Sequence, residues 1–139
     1  PGNLLCPVGT PYRDLLDACG GLAEDAARVV SGGPMMGFTV GDLDTPVTKG
    51  TSGLTVLSRE EVARIRETAC VRCGRCVDVC PLSLTPTKMA QAARFRNWEV
   101  ARRYQLLACC ECGCCGYECP AGIPLVQLIR TGKAVMPRS

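Results

Sequence analysis

Residues 1–57 carry short apolar runs that are interrupted by glycine and proline. Residues 4–6, 28–30 and 54–57 are each rich in apolar or β-branched side chains and are bounded by turn-forming residues, which is the pattern of short strands. Val47 is predicted to lie in a further short strand, which glycine-bearing turns separate from residues 54–57. This part of the chain is therefore predicted to form a short sheet.

One helix is predicted beside that sheet. Thr10 followed by Pro11 has the sequence of a helix cap and of a proline in the first helical position. Apolar residues then recur at helical spacing, and a glycine pair after them predicts the end of the helix. The apolar positions are Leu15, Leu16 and Cys19, and the glycines are Gly20 and Gly21. A single helix on a short sheet makes this segment a small α+β module.

Residues 58–139 show helical periodicity instead. Ser58 and Glu61 have the spacing of a capping box, and apolar positions continue that helix as far as Ala69. Three later helices are predicted, each opened by a proline or a capping residue. Their openings are Thr85-Pro86, Asn97 and Pro124, and their apolar faces are Met89 with Ala93, Val100 with Tyr104 and Leu107, and Leu125 with Leu128 and Ile129. The change of pattern predicts two domains, residues 1–57 and 58–139.

Eight of the twelve cysteines form two copies of one spacing, Cys-x2-Cys-x2-Cys-x3-Cys-Pro. This spacing is typical of proteins with two [4Fe–4S] clusters, in which the fourth cysteine of each copy usually ligates the other cluster. The predicted ligands are therefore Cys70, Cys73, Cys76 and Cys119 for one cluster, and Cys109, Cys112, Cys115 and Cys80 for the other. Two clusters held close together form a path for single electrons.

Structural zinc is the alternative for these cysteines, because four thiolates are also a common zinc site. Zinc sites usually take two Cys-x2-Cys pairs, whereas each copy here offers three closely spaced thiolates, which suit three irons on one face of a cluster. The second copy has one register, because a run starting at Cys110 would require Gly113 as a ligand. Cys110 and Cys114 are then interpreted as small residues beside the cluster, and Cys6 and Cys19 as buried apolar residues.

The composition narrows the chemistry further. The chain has no histidine, which excludes histidine-ligated zinc, Rieske clusters and histidine-based catalysis. Each oxidised cluster with four thiolates carries a charge of about −2. The net charge of +3 on the chain therefore mainly offsets the charge of the clusters. Because this charge is modest and aromatic residues are scarce, nucleic-acid binding is not favoured. Cluster thiolates require a reducing compartment, which predicts a cytoplasmic protein. No apolar run is long enough for a direct membrane span.

Two other segments have more than one interpretation. Residues 32–37 are glycine-rich, but they lack the Gly-Lys-Ser/Thr ending of a phosphate loop and the glycine spacing of a dinucleotide turn. They are interpreted as a turn with two apolar residues, and a docking surface is the alternative. Four arginines on the predicted helices between the cysteine runs form either a solvated face or a surface that steers an acidic electron-transfer partner. They are Arg94, Arg96, Arg102 and Arg103.

Five stretches, taken together, carry a resemblance to a known family. They are Gly32-Gly33-Pro34-Met35-Met36-Gly37, Pro46-Val47-Thr48-Lys49, the cysteine run over residues 70–81, Glu111-Cys112-Gly113-Cys114-Cys115 and Ile123-Pro124-Leu125-Val126-Gln127. In this order they resemble the C-terminal half of the C subunit of the Rnf electron-transport complex. The resemblance implies an α+β fold, with a β-grasp module of the soluble-ligand-binding type followed by an α-helical ferredoxin domain.

The same resemblance implies a function and partners. It implies the electron-relay part of an oxidoreductase and translocase complex, which moves electrons between NADH and ferredoxin and couples this to transport of sodium ions or protons. The chain is expected on the cytoplasmic face of the cell membrane, bound peripherally through other subunits, with a ferredoxin as a further candidate partner. FMN and NADH are expected only on a preceding domain that is absent from this chain, so this fragment would carry electrons without catalytic residues of its own.

Other functions stay open from the sequence alone. The flavin and iron–sulfur cobalamin reductase of propanediol-utilising microcompartments shares the Gly-Gly-Pro-Met-Met-Gly stretch and similar cluster motifs. After the first motif this sequence has Leu82-Ser83-Leu84, whereas the Rnf pattern has methionine next to the proline. This difference bears on the choice between the Rnf and the microcompartment subfamily. A non-redox interaction module braced by zinc is the second alternative. An iron–sulfur redox sensor is the third, although no DNA-binding or signalling element is recognisable in the sequence.

Overall fold

The computed structural model describes residues 1–64 and 66–137. The chain forms two compact units, which divide between residues 65 and 66. The helix that follows Ser58, which the hydrophobic pattern assigns to the second domain, lies in the first unit. None of the helices in the described part of the chain has the length and apolar character required to cross a membrane.

The first unit is a three-stranded antiparallel sheet with two short helices, so the predicted α+β character is confirmed. The central strand β1 (Ala26–Ser31) pairs with β2 (Phe38–Thr39) on one side and with β3 (Leu54–Ser58) on the other. Helix α1 (Tyr12–Ala18) precedes the sheet, and α2 (Arg59–Ala63) follows it. The sequence does not indicate β2, because two residues are too few to show alternation.

Tyr12 connects α1 to the residues around the sheet. Its ring is buried, and its hydroxyl lies 3.0 Å from Ser31 Oγ and 3.2 Å from Thr51 Oγ1. A buried tyrosine hydroxyl usually has a hydrogen-bond partner, and here it has two. The apolar side chains of this small core are those of Tyr12, Leu16, Val29, Val30 and Val47.

Three predictions for the first unit are wrong. Val47 belongs to no strand, although its amide donates to the Thr10 carbonyl at 2.8 Å. Residues 4–6 belong to the described part of the chain and form no strand, because a strand needs a partner ladder and Leu5 is fully exposed. Helix α1 begins at Tyr12 and not at Pro11, whose backbone is extended. The Thr10 hydroxyl donates to the Pro7 carbonyl at 2.8 Å instead of capping the helix.

The capping box at the start of α2 is confirmed. The Ser58 hydroxyl accepts from the Glu61 amide at 3.2 Å, and the Glu61 carboxylate accepts from the Ser58 amide at 2.8 Å. The hydrogen bond from the Ser58 amide, followed by the interaction of the carboxylate with the Ser58 side chain, holds the pKa of Glu61 below its ordinary value. The helix therefore begins where the sequence predicts.

The prediction that this helix continues to Ala69 is wrong, because α2 ends at Ala63. Beyond it, the Thr68 amide donates to the Ala121 carbonyl at 2.8 Å and not to a helical carbonyl. A contact across more than fifty positions of the chain has thus replaced a local helical bond. Ile65, a predicted position on the helical face, lies outside the described residues.

The second unit is helical and repeats its own structure. Two one-turn helices, α3 (Arg75–Asp78) and α6 (Cys114–Tyr117), begin 39 residues apart. Two longer helices, α4 (Pro86–Arg94) and α7 (Leu125–Val135), also begin 39 residues apart. The halves are linked by α5 (Trp98–Arg103) and a single 3₁₀ turn (Leu106–Ala108).

Helices α4 and α7 pack against each other and form the core of this unit. Met89, Leu125 and Ile129 are almost completely buried, and Ala93 is buried beside them. The predicted inward faces of both helices are therefore confirmed at these positions. Leu128 is half-buried and packs against the same core.

The helix after Asn97 is shorter than its pattern predicts. The Asn97 side chain caps it as predicted, by accepting a hydrogen bond of 3.1 Å from the amide three positions later. However, α5 ends at Arg103, and Gln105 has a left-handed backbone with φ of 55°. The resulting turn buries Leu106 and leaves Leu107, a predicted core residue, 61% exposed.

Gly132 allows the close approach of α4 and α7. A Cβ atom at this position would lie 2.6 Å from the Ala93 Cβ and 3.2 Å from Leu106 Cδ1. We expect Gly132→Ala to lower the free energy of unfolding by about 1–3 kcal/mol, because overpacking outweighs the gain of about 1 kcal/mol in helix propensity. Chemical denaturation followed by far-ultraviolet circular dichroism measures the change.

The control is a double-mutant cycle with Ala93→Gly, which removes the methyl group that the new Cβ would meet. The two substitutions should be strongly non-additive, since each relieves or creates the same steric contact. Simple addition of the two losses would show that the helix spacing does not depend on Gly132.

Candidate metal centres

Both cysteine motifs have the same backbone conformation. In each motif, the residue two positions after the first cysteine is left-handed, with φ of 56° at Arg72 and 60° at Glu111. The glycine two positions later is also left-handed and caps the one-turn helix, with φ of 83° at Gly74 and 82° at Gly113. Glycine adopts this conformation without Cβ strain, so each loop bends tightly around the space that its cysteines line.

The cysteines of the two motifs line two pockets. We call them the first-motif pocket and the second-motif pocket, after the motif that supplies three cysteines to each. The fourth cysteine of each motif lines the pocket of the other motif. The first-motif pocket holds Cys70, Cys73, Cys76 and Cys119, and the second-motif pocket holds Cys109, Cys112, Cys115 and Cys80, with Cys110 also at its edge. The structure therefore brings together both sets of four cysteines that the spacing predicts.

The donor atoms and the space suit an iron–sulfur cluster. The unfilled volumes of the two pockets are similar, about 360 Å³ and about 340 Å³ with some space open to solvent, as expected for two sites that hold the same group. Across residues 1–64 and 66–137, no three Cys, His, Asp or Glu side chains are grouped closely enough to hold a single metal ion. A [4Fe–4S] cluster is held by four cysteine thiolates, and each pocket is lined by at least four cysteines.

Three cysteine sulfurs have nearby hydrogen-bonding groups. The Glu111 amide donates to Cys109 Sγ at 3.3 Å, and the Leu84 amide donates to Cys80 Sγ at 3.4 Å. Thr87 Oγ1 lies 3.0 Å from Cys76 Sγ. Hydrogen bonds to cluster sulfurs stabilise negative charge there and are one of the means by which a protein sets the reduction potential.

Burial raises the pKa of two cysteine thiols in the second-motif pocket. The pKa of Cys115 rises to about 12, mainly by burial and then by the nearby Cys109 thiol. The pKa of Cys109 is also raised, again chiefly by burial. Without metal, both groups are therefore neutral thiols at pH 7. Metal ligation requires the thiolate, so cluster binding must release these protons.

The two pockets adjoin each other in the core of the second unit. The Cys76 thiol, from the first motif, is close enough to Cys115 of the second motif to contribute to its raised pKa. Cys115 is part of the buried core, and Cys76 and Cys119 pack against that core. Members of both sets of ligands therefore contact the same packed core.

An ion-pair network fixes the second motif to α7. The Glu111 carboxylate accepts from Arg130 Nε at 2.7 Å and from Lys133 Nζ at 2.8 Å. Lys133 also donates to the Cys109 carbonyl at 2.6 Å. The Lys133 hydrogen bond, followed by that of Arg130, lowers the pKa of Glu111 despite its partial burial. In the sequence, the only signal of this network is an acidic residue in the motif and two basic residues three positions apart on the last helix, so the network is not predicted.

The cysteines outside the two sets of four have varied surroundings. Cys19 and Cys110 are exposed, whereas Cys6 and Cys114 are half-buried. The interpretation of Cys6 and Cys19 as buried residues is therefore wrong. Cys19 follows the last turn of α1, beyond the helical face that packs inward, and this explains its exposure.

The four linker arginines are not equivalent. Arg94 forms an ion pair with Glu67 at 2.6 Å, and Arg102 donates to the Pro137 carbonyl at 3.1 Å. Arg96, in the turn between α4 and α5, and Arg103, the last residue of α5, are both exposed. Two of the four side chains therefore serve internal contacts of the second unit.

Protein-family models match parts of both units of this chain. A protein-family model described as an SLBB domain matches residues 1–39, and one described as a 4Fe-4S dicluster domain matches residues 67–123. The first supports the predicted β-grasp module of the soluble-ligand-binding type. The second supports the predicted dicluster ferredoxin domain and its iron–sulfur chemistry.

Relatives match nearly the whole chain. The C subunit of the proton-translocating ferredoxin:NAD(+) oxidoreductase complex of Clostridium ljungdahlii is 46% identical over 94% of this chain. The C subunit of the ion-translocating oxidoreductase complex of Rhodobacter capsulatus is 44% identical, and that of the Na(+)-translocating ferredoxin:NAD(+) oxidoreductase complex of Acetobacterium woodii is 42% identical, each over 96% of this chain. The predicted resemblance is confirmed. The chain spans only 29%, 26% and 30% of the lengths of these three relatives.

Glu111 balances two cations in a mostly buried site, and its removal should be costly. We expect Glu111→Gln to lower the free energy of unfolding at neutral pH by about 2 kcal/mol, because glutamine leaves Arg130 and Lys133 without a carboxylate. Denaturant unfolding of the metal-loaded protein measures the loss. Glu118→Gln is the matched control, since Glu118 is an exposed glutamate of the same motif. Equal losses in the two variants would contradict the structural role of the network.

Proposed function

We propose that this chain is the electron-relay part of a membrane-associated ferredoxin:NAD+ oxidoreductase complex and holds two [4Fe–4S] clusters for this purpose. The observation that carries the proposal is the exchange of the fourth cysteines between the two pockets. Three thiols from one motif and one from the other are the donor set of a two-cluster ferredoxin. In this proposal, Cys70, Cys73, Cys76 and Cys119 ligate one cluster, and Cys109, Cys112, Cys115 and Cys80 ligate the other.

Each cluster supplies one-electron redox chemistry when it is bound. The residues of the chain hold the two ligand sets side by side, shield them with the apolar core and direct amide groups at the thiolates. The position of Cys76, Cys115 and Cys119 around one packed core supports passage of single electrons between the two sites. No side chain is required as an acid, a base or a nucleophile, because this transfer neither makes nor breaks a bond to carbon.

The names of the relatives support the larger assignment. They are C subunits of complexes that translocate protons, sodium ions or ions in general, and two of them are named as ferredoxin:NAD(+) oxidoreductases. We infer that this chain serves in a complex of the same kind, on the cytoplasmic face of the cell membrane and bound through other subunits. FMN and NADH are assigned to a part of the protein outside these residues, and ion translocation is assigned to other subunits.

Metal and sulfide analysis tests the proposal directly. Protein purified without oxygen should contain about eight iron atoms and about eight acid-labile sulfides per chain, as two [4Fe–4S] clusters require. Reduction should produce electron paramagnetic resonance signals of two interacting clusters. Zinc in place of iron, without labile sulfide, would overturn the proposal in favour of a zinc-braced module.

Substitution of the fourth cysteine of the first motif tests the cross-ligation. We expect Cys80→Ser to damage the cluster that is held by Cys109, Cys112 and Cys115, because that pocket takes its fourth thiol from Cys80. Iron analysis and electron paramagnetic resonance should show loss of one cluster or its conversion to a three-iron form. Cys114→Ser is the matched control, and it should leave the iron and sulfide contents unchanged. Damage to the other cluster in Cys80→Ser would show that each motif ligates its own cluster.

A further inference from the structure

The two cysteine motifs differ in how far they are covered. We compare the first-motif loop (residues 71–75) with the second-motif loop (residues 110–114), which occupy equivalent positions in the repeat. All five residues of the first-motif loop are exposed, and Val71 shows 65% of its surface. In the second-motif loop only Cys110 is exposed, and Gly113 is buried. The first-motif pocket therefore lies beneath an open loop, and the second-motif pocket beneath a covered one.

A single position accounts for much of this difference. In the second-motif loop, the left-handed residue is Glu111, which Arg130 and Lys133 of α7 hold in place. The equivalent left-handed residue of the first-motif loop is Arg72, and its surface is exposed. The position on α4 that is equivalent to Lys133 is Arg94, which pairs with Glu67 and not with the loop. Within the described part of the chain, the first-motif loop thus has no such clamp.

The open loop is also basic. It carries Arg72 and Arg75, and the carboxylate of Asp78 on α3 lies close by. Between the arginines lies Cys73, an exposed member of the first-motif pocket. The corresponding residues of the other motif are acidic or neutral, with Glu111 in the loop. The first-motif loop therefore brings together positive charge, the exposed apolar side chain of Val71 and the exposed cysteine Cys73.

We propose that the first-motif loop is the docking surface for a redox protein that carries acidic side chains around its own electron-transfer centre. This inference rests on the proposed function and specifies which cluster meets the partner. One electron passes from the reduced centre of that partner to the cluster held by Cys70, Cys73, Cys76 and Cys119, so the partner is oxidised and the cluster is reduced. Arg72 and Arg75 attract the partner, and Val71 provides apolar contact area. Such steering raises association rates by about tenfold or more at low salt.

The test measures the rate at which a reduced, acidic two-cluster ferredoxin reduces the cluster-loaded chain in stopped flow. We expect Arg72→Glu/Arg75→Glu to slow this reaction about tenfold at low ionic strength, with the difference shrinking as salt screens the charges. Arg96→Glu/Arg103→Glu is the matched control, because it makes the same change of net charge on exposed arginines. Thr87, a residue of the first-motif pocket, lies in the first turn of α4, and Arg96 lies just beyond the other end of that helix, so about 10 Å of helix separates them. The control should change the rate less than about twofold.

Two further measurements separate docking from an effect on the cluster. Photoreduced deazariboflavin, a small reductant that needs no docking surface, should reduce wild type and both variants at similar rates. Arg72→Lys/Arg75→Lys should retain most of the ferredoxin rate, because it keeps the charge. If the loop variant is slow with deazariboflavin as well, or if the Arg96/Arg103 variant is equally slow with ferredoxin, the docking surface is wrongly placed and the inference is overturned.

The failure of this inference is distinguishable from failure of the proposed function. If iron and labile sulfide are absent, the relay itself is refuted, and with it the docking surface. If both clusters are present and reducible, but the reversal of Arg72 and Arg75 leaves the ferredoxin rate unchanged at low salt, only the docking surface is refuted. Redox titration of each variant measures the midpoint potentials of the clusters. If the inference holds, the reversal of Arg72 and Arg75 lowers the ferredoxin rate without a change of potential large enough to explain it.

Discussion

Each pocket of the second unit contains a cysteine that belongs to the other motif. Because of this exchange, the two motifs have to lie side by side, and the helices that follow them, α4 and α7, are brought into contact. The absence of a side chain at Gly132 lets those helices approach closely, and the buried thiols of the pockets extend the same core. The helical repeat, the small core and the two candidate metal centres are therefore consequences of one arrangement of cysteines.

The small size of that core explains why metal ligation matters to the fold. Among the described residues of the second unit, only a few large side chains, such as Met89, Leu106 and Ile129, are fully buried. Small domains with limited cores commonly depend on metal sites for stability. In the metal-free state the core also contains Cys115 as a thiol with a raised pKa, so the site is preorganised in space but protonated. Cluster binding would then couple proton release to stabilisation of the unit.

The repeat is symmetric in its backbone and asymmetric in its charges. Left-handed residues and one-turn helices recur at equivalent positions, yet Glu111 is clamped by α7 while Arg72 faces solvent. A symmetric pair of sites would offer a partner two similar surfaces. The two loops differ in cover and in charge, so the proposed relay would present two unlike surfaces to its partners.

The sequence by itself determined the chemistry and most of the local structure. Cysteine spacing predicts both sets of four thiols that line the pockets, because ligand geometry around a cluster leaves few workable spacings. Local patterns also predict the capping box at Ser58, the cap at Asn97 and the buried faces of α4 and α7. Tertiary structure decided where helices end and which residues are covered. Beyond α2, the Thr68 amide donates to the Ala121 carbonyl. The turn at Gln105 buries Leu106 and leaves Leu107 exposed. Glu111 pairs with two basic residues of α7. These outcomes depend on contacts between residues distant in the chain, which periodicity and capping rules do not contain.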